Sequence, residues 1–408
     1  MFSKEGCLDN FMMKKKYIYI LFFVLSFYSC QDNNGQPDII PIQPPNKEPI
    51  DTVFIKRAET TFENVFNLYW DNKVNKMYSS YPINESPHYY EKYASAWGYG
   101  AILSAYNAVF QHTASPGAFE REYKNKIIDG LEKYWTKKYP GAYAAYDNDW
   151  DDRFYDDNVW FGIDLIELYE RTKDTWFLDK AKAVWTFIMS GKDDVLGGGV
   201  YWKEGEKNSK NTCSNAPAVV LGVKMYQSTR DMGYLNTAKE IYRWTKSNLR
   251  DPMDNLYWDN MKTNGTVEKT KFSYNSGQMI QAATLLYNET KETTYLNDAK
   301  AVAEASYNYF FEDYASSGGD TTLKVLKKGS VWFNTIMLRG FVELNKIEPN
   351  NKYSAAFRQS LENAWKYARE TDIGLFNSDF NGGSIDKSKD ILYQGAIVEM
   401  YVLTAILQ

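Results

Sequence analysis

Three stretches of this chain are near copies of one another: LYERTKDTWFLDKAKAVWTFI from Leu168, MYQSTRDMGYLNTAKEIYRWT from Met225 and LYNETKETTYLNDAKAVAEAS from Leu286. Each reads as the end of one amphipathic helix, a short polar turn and the start of the next. A weaker copy, LNKIEPNNKYSAAFRQSLENAW, begins at Leu344, and Phe110 and Met400 sit at matching helix ends. The anchors at 110, 168, 225, 286, 344 and 400 lie 56–61 residues apart. That is the length of a helical hairpin with its loop, and a period of this kind constrains the fold before any local reading does.

Six such hairpins make twelve helices. The first of each later pair is rich in small and apolar residues all round (APAVVLGVKMY, GQMIQAATLLY, GAIVEMYVLTAI), whereas the second carries Lys, Glu and Asp on one side. A helix apolar all round is buried and an amphipathic one is half-exposed. Six buried helices inside six amphipathic ones predict an all-α (α/α)6 barrel whose chain ends meet. An open solenoid caps its ends with polar repeats, but the last helix here, Leu392 to Leu407, is among the most apolar. The segments LGGGVYWKEG (Leu196 to Gly205) and LYWDNMKTNGTVEKTKF (Leu256 to Phe272) read as short β-hairpin insertions in the loops.

Residues that open the inner helices form a second pattern: Asp156, Asp157 and Asn158; Ser214 and Asn215; Tyr274 and Asn275; Trp332 and Asn334; Tyr393 and Gln394. Inner helices of such a barrel run parallel, so these clusters share one rim. Capping alone explains Asp, Ser and Asn at helix starts, but it does not need the aromatics Trp160, Phe161, Phe333 and Tyr393 beside them. Aromatic faces among amides and carboxylates describe a cleft for sugars, with C–H faces stacked on rings and hydroxyls paired to polar tips. Aromatics are 16% of the chain, ample for such a wall.

The run YDNDWDDRFYDDN, Tyr146 to Asn158, holds six aspartates. Asp147, Asp149 and Asp151 match the start of a calcium loop, but Asp152 stands where the sharp turn wants Gly and Asn158 where a bidentate Glu is required. Asp147, Asp149, Asp151 and Asp152 read as loop-solvating or capping residues. Asp156 and Asp157 abut the inner helix and face the mouth. Glycoside hydrolysis needs two carboxyls, one to protonate the leaving oxygen and one to attack carbon or activate water. Neighbours at a helix start point about 100° apart, which can leave their carboxylates roughly 5–6 Å apart, near the spacing of retaining enzymes. A helix N-terminus favours the ionised form, so the acid of the pair needs burial and its neighbour's charge to stay protonated.

Other chemistries fit less well. His88 and His112 are the only histidines, which leaves no metal-ligand cluster and no Ser-His-Asp set. Gly197 to Gly199 open no phosphate-binding helix, so no cofactor or metal is expected. A formal charge of −5 with no cationic run in the body excludes a nucleic-acid footprint. Cys213 reads as a small packing residue.

The N-terminal segment MKKKYIYILFFVLSFYSC has cations at Lys14 to Lys16, an apolar stretch from Tyr17 to Phe27, and Ser29 before Cys30. It reads as a bacterial lipoprotein signal with Cys30 as the lipidated residue, an ordinary secretory signal being the alternative. Residues 1–30 are then the leader, with Met13 as the expected start, residues 31–50 a Pro/Asn-rich tether, and residues 51–408 the catalytic domain. A monomer tethered by lipid to the bacterial cell envelope is expected.

The motifs YDDNVWFGIDLIELYERTKD, GGGVYWK, CSNAPAVVLGVKMYQSTRD, YNSGQMIQAATLLYNETKE and ILYQGAIVEMYVLTAI occur in an order that resembles glycoside hydrolase family 76. That family includes bacterial endo-α-1,6-mannanases and fungal cell-wall transglycosidases. The resemblance implies the same barrel, retaining cleavage of α-1,6-linked mannan, Asp156 as nucleophile and Asp157 as acid/base. It also implies cleft contacts at Asn215, Tyr274, Asn275 and Trp202, in addition to the rim residues Asn158, Trp160 and Trp332. Phe380, expected on the rim as a further substrate contact, stands where the family commonly has Trp, and Ser276 where it commonly has Gln. Two other readings remain at this point: an α/α-barrel glycosidase or lyase acting on a different glycan, and a surface glycan-binding lipoprotein without catalysis.

Overall fold

A computed structural model describes residues 50–147, 152–314 and 324–407. The predicted leader with Cys30, and Asp149 and Asp151 of the aspartate-rich run, lie outside the described residues. Six inner helices are α3 (Ala96–His112), α5 (Tyr155–Thr172), α7 (Thr212–Thr229), α9 (Ser273–Thr290), α11 (Val331–Asn345) and α13 (Ile391–Ile406). Around them stand α1 (Thr52–Tyr69), α4 (Pro116–Leu131), α6 (Thr175–Ser190), α8 (Met232–Leu249), α10 (Thr293–Phe310) and α12 (Asn351–Asn363), while α2 (Tyr89–Lys92) is a single turn in a loop.

The repeated turn follows from its three residues. Thr172, Thr229 and Thr290 donate to the carbonyls of Leu168, Met225 and Leu286 at 2.7–2.8 Å. Their hydroxyls accept the backbone N–H of Asp174, Asp231 and Glu292 at 3.2–3.3 Å. Between them Lys173, Arg230 and Lys291 take left-handed φ of 58–60°, which ends one helix and aims the chain into the next. Asp174 and Asp231 then cap α6 and α8.

Inner helices pack side by side in the order α3, α5, α7, α9, α11, α13, and α13 returns to α3. This is the closed (α/α)6 barrel. Five of the pairs are consecutive along the chain, and the sixth, α13 with α3, closes the ring, with α1 packed on α13. Asp51 caps α1 and its N–H donates to the Ala405 carbonyl at 3.2 Å, while its carboxylate meets Arg358 at 2.5 Å. At one seam, Gly277 of α9 and Gly340 of α11 let the backbones touch; a methyl on either would run into the other helix's main chain.

The hairpin expected over Leu256 to Phe272 is present as Trp258–Lys262 paired with Val267–Lys271, and Ser209–Asn211 adds a third antiparallel strand. The segment Leu196 to Gly205 departs from the expected hairpin. Gly197, Gly198 and Gly199 all have positive φ, Val195–Gly197 form a 3-10 turn, and the remainder pairs with neighbouring backbone in isolated bridges rather than a hairpin ladder.

Polar groups span the barrel interior one repeat apart. Ser104 donates to Asp164 at 2.5 Å, Asn107 to Glu167 at 3.0 Å, and Arg339 forks onto Glu399 at 2.6 and 2.9 Å. These groups line a cavity of about 520 Å³ at the C-terminal ends of the inner helices. Among the described residues, no helix is long and apolar enough to cross a membrane.

Candidate active site

The N-terminal ends of the inner helices surround a second cavity, of about 640 Å³. Its construction follows from helical register. The second residue of each inner helix is Trp97, Asp156, Cys213, Tyr274, Trp332 or Leu392, and all but Leu392 line the cavity. Two residues further along, the side chain serves a different purpose. Asn158 exchanges 2.8 Å hydrogen bonds with both backbone groups of Tyr143, Asn215 clasps Val200 in the same way at 2.7 and 2.8 Å, and Gln394 clasps Phe376 at 2.9 Å. Ser276 accepts the Tyr257 N–H at 3.1 Å.

This corrects the expectation that Asn158 and Asn215 meet sugar. Both are fully buried, with their amides committed to the incoming loop. Phe380 is corrected too: it is buried against the Lys327–Gly329 turn, away from the large cavity. Asn275 is buried behind the cavity wall, where its amide and that of Asn260 work against the rise that burial imposes on the Asp259 carboxyl. Trp160, Trp202, Tyr274 and Trp332 line the cavity.

Its walls are largely aromatic. Trp160 meets Trp332 edge to face at 6.1 Å, and Tyr274 stacks on Phe333 at 4.0 Å with the planes 8° apart. Trp97, 37% exposed, extends that stack at 6.4 Å from Phe333. Across from them stands Trp202, 39% exposed, packed on Phe154 at 5.0 Å. Trp97, Asp259 and Asn260 had escaped the reading by sequence. The register signal that places Trp97 was available, because it falls one repeat before Asp156. Asp259 sits on an inserted strand, which the helical period does not reach.

Asp156 and Asp157 share the first turn of α5 and both line the cavity, half-buried. Their surroundings differ. The Trp202 indole N–H donates to Asp156 Oδ2 at 3.1 Å, and the Cys213 thiol lies 3.5 Å from the same oxygen. Oδ1 of Asp156 is buried with no side-chain hydrogen-bond partner among the described residues. Burial pushes the Asp156 carboxyl up to about 6, against the pull of those two donors. None of the described residues hydrogen-bonds the Asp157 carboxyl, and burial, followed by the charge of Asp156, holds it well above the carboxylate range. The two titrate as a pair in which the Asp157 side keeps the proton. An ionised carboxylate beside a protonated carboxyl in a ring-walled cavity has the components for glycosidic cleavage.

Of the other described aspartates of the run, Asp152 lines the edge of the cavity. Asp152 pairs with Lys203 at 3.2 Å at the rim, and Asp147 pairs with Lys76. Among the described residues, no group of His, Cys, Asp and Glu is arranged to hold a metal ion.

A helical toroid with a carboxyl pair at its aromatic mouth defines a glycoside hydrolase. The chain belongs to glycosyl hydrolase family 76, whose model matches residues 54–408. It is similar to the family 76 mannosidase Bt3792 of Bacteroides thetaiotaomicron, at 35% identity and a TM-score of 0.82, covering 87% of this chain and 98% of that one. A second similar structure is an inactive variant of the α-1,6-mannanase GH76A of Salegentibacter, with two consecutive aspartates changed to asparagine, in complex with α-1,6-mannotriose. It is 26% identical with a TM-score of 0.72, covering 87% of this chain and all (100%) of that one. Mannan endo-1,6-alpha-mannosidase DCW1 of Candida glabrata is 26% identical over 171 residues, 38% of each chain. The match spans less than two thirds of the length of these curated relatives.

Proposed function

We propose that this chain hydrolyses α-1,6-mannosidic linkages of mannan by a retaining double displacement. The supporting observation is the asymmetry of the carboxyl pair: among the described residues Asp156 is held by two side-chain donors and Asp157 by none. Asp157 gives its proton to the glycosidic oxygen as that bond breaks, while an Asp156 oxygen bonds to the anomeric carbon. In the second step Asp157 takes a proton from water, the hydroxide oxygen bonds to the anomeric carbon, and the bond to Asp156 breaks, restoring both groups. Trp202 and the Tyr274–Phe333 stack supply faces for the sugar's C–H surfaces.

The linkage is inferred from the mannanase and mannotriose complex named among the similar proteins. Linear α-1,6-mannan is expected to yield new reducing ends, and α-1,4-glucan and β-1,4-mannan none. Release from another glycan, with α-1,6-mannan untouched, would remove the substrate assignment. The predicted Cys30 lipid and the display of the domain on the cell envelope belong to the same proposal and rest on the leader sequence alone.

A further inference from the structure

Adjacent inner helices place equal register positions side by side. Asp156 is the second residue of α5 and Cys213 the second residue of α7, so the thiol comes to lie against the carboxylate, 3.5 Å from Oδ2. The Tyr274 hydroxyl, from the same position of α9, lies against the sulfur. A chain of neighbouring polar groups therefore crosses the rim: Tyr274, Cys213, Asp156, with the Trp202 indole N–H meeting the same Oδ2 at 3.1 Å.

We propose that Cys213 is a positioning residue for Asp156, its S–H donating to Oδ2 so that, together with Trp202, it orients the carboxylate and keeps it ionised. The inference rests on Asp156 being the reacting carboxylate. Burial and the nearby carboxylates of Asp156 and Asp259 keep the thiol protonated, so it acts as a donor. A thiol is a weak donor: it steadies the carboxylate while withdrawing less charge than a hydroxyl would. The titratable groups that face this pair are Asp157 of α5, Asp259 of the inserted strand and Tyr274 of α9.

The test is the pH profile of kcat/KM on α-1,6-mannan for the wild type, Cys213→Ala and Cys213→Ser, with folding checked by thermal melting. The acid limb reports ionisation of Asp156 within the pair. Removing a donor to the ionised form raises the pKa, so Cys213→Ala moves that limb upward, by about half a pH unit for a weak hydrogen bond. Cys213→Ser supplies a stronger donor and moves the limb below the wild-type position. If the alanine variant melts below the assay temperature, the serine variant still decides, because a stronger donor lowers the limb. A limb unmoved in both variants, with Asp156→Asn inactive, overturns the role of Cys213 and leaves the carboxyl pair standing. Full activity of Asp156→Asn overturns both.

Discussion

Asparagine at position 157 lowers turnover of linear α-1,6-mannan by about 10²–10⁴-fold, the usual worth of a positioned general acid. The loss is smallest on mannosides whose leaving group departs without a proton, such as nitrophenolate, because the first step then no longer needs Asp157. Asparagine at position 156 removes the nucleophile and is more damaging, on the order of 10⁴-fold or more, on every substrate alike. Both variants keep the wild-type melting temperature or exceed it, because each replaces a half-buried carboxyl whose ionisation burial opposes. The kcat/KM values on the two substrate types, which report the first step, separate the roles. Equal losses of kcat/KM for Asp157→Asn on mannan and on an activated mannoside would remove its assignment as acid.

The second large effect lies at the opposite end of the barrel. Arg339 and Glu399 are buried, paired through two hydrogen bonds, and 60 residues apart. Arg339→Met leaves Glu399 without its partner where burial opposes its charge, and the expected cost is about 3–5 kcal/mol. Adding Glu399→Met removes the stranded charge and recovers most of that loss, since two apolar side chains of similar volume replace a pair whose attraction is largely offset by desolvation. Urea unfolding of the two single variants and the double variant measures this directly. A double variant as unstable as the sum of the singles would contradict it.

Much of this architecture was legible in the order of residues. The period from 110 to 400 gave the barrel, and three of its turns repeat a Thr that accepts from the residue after the left-handed position. The same period placed Asp156, Tyr274 and Trp332 at one rim. It was less informative within a helix turn. Asn158 and Asn215 stand two residues past the cavity-facing position, and that offset turns an amide from the mouth to the loop backbone it clasps. Composition alone cannot separate the two uses, since both favour Asn.

Other features depended on contacts that run length conceals. Glu399 lies in a string read as apolar and makes sense only beside Arg339, one repeat away. Phe380 and Asp259 sit on loops or inserted strands, where no period applies. The three glycines at 197–199 look like hairpin material but occupy conformations of positive φ that no regular strand uses.

The central claim is a covalent relay through two neighbouring carboxyls, and the stereochemistry of the newly formed chain end tests it most directly. Proton NMR of a linear α-1,6-mannooligosaccharide, followed from the first moments after mixing, is expected to show the α-anomer of the released reducing end before mutarotation brings in the β-anomer. Initial appearance of the β-anomer would mean a single displacement by water, and would contradict the account.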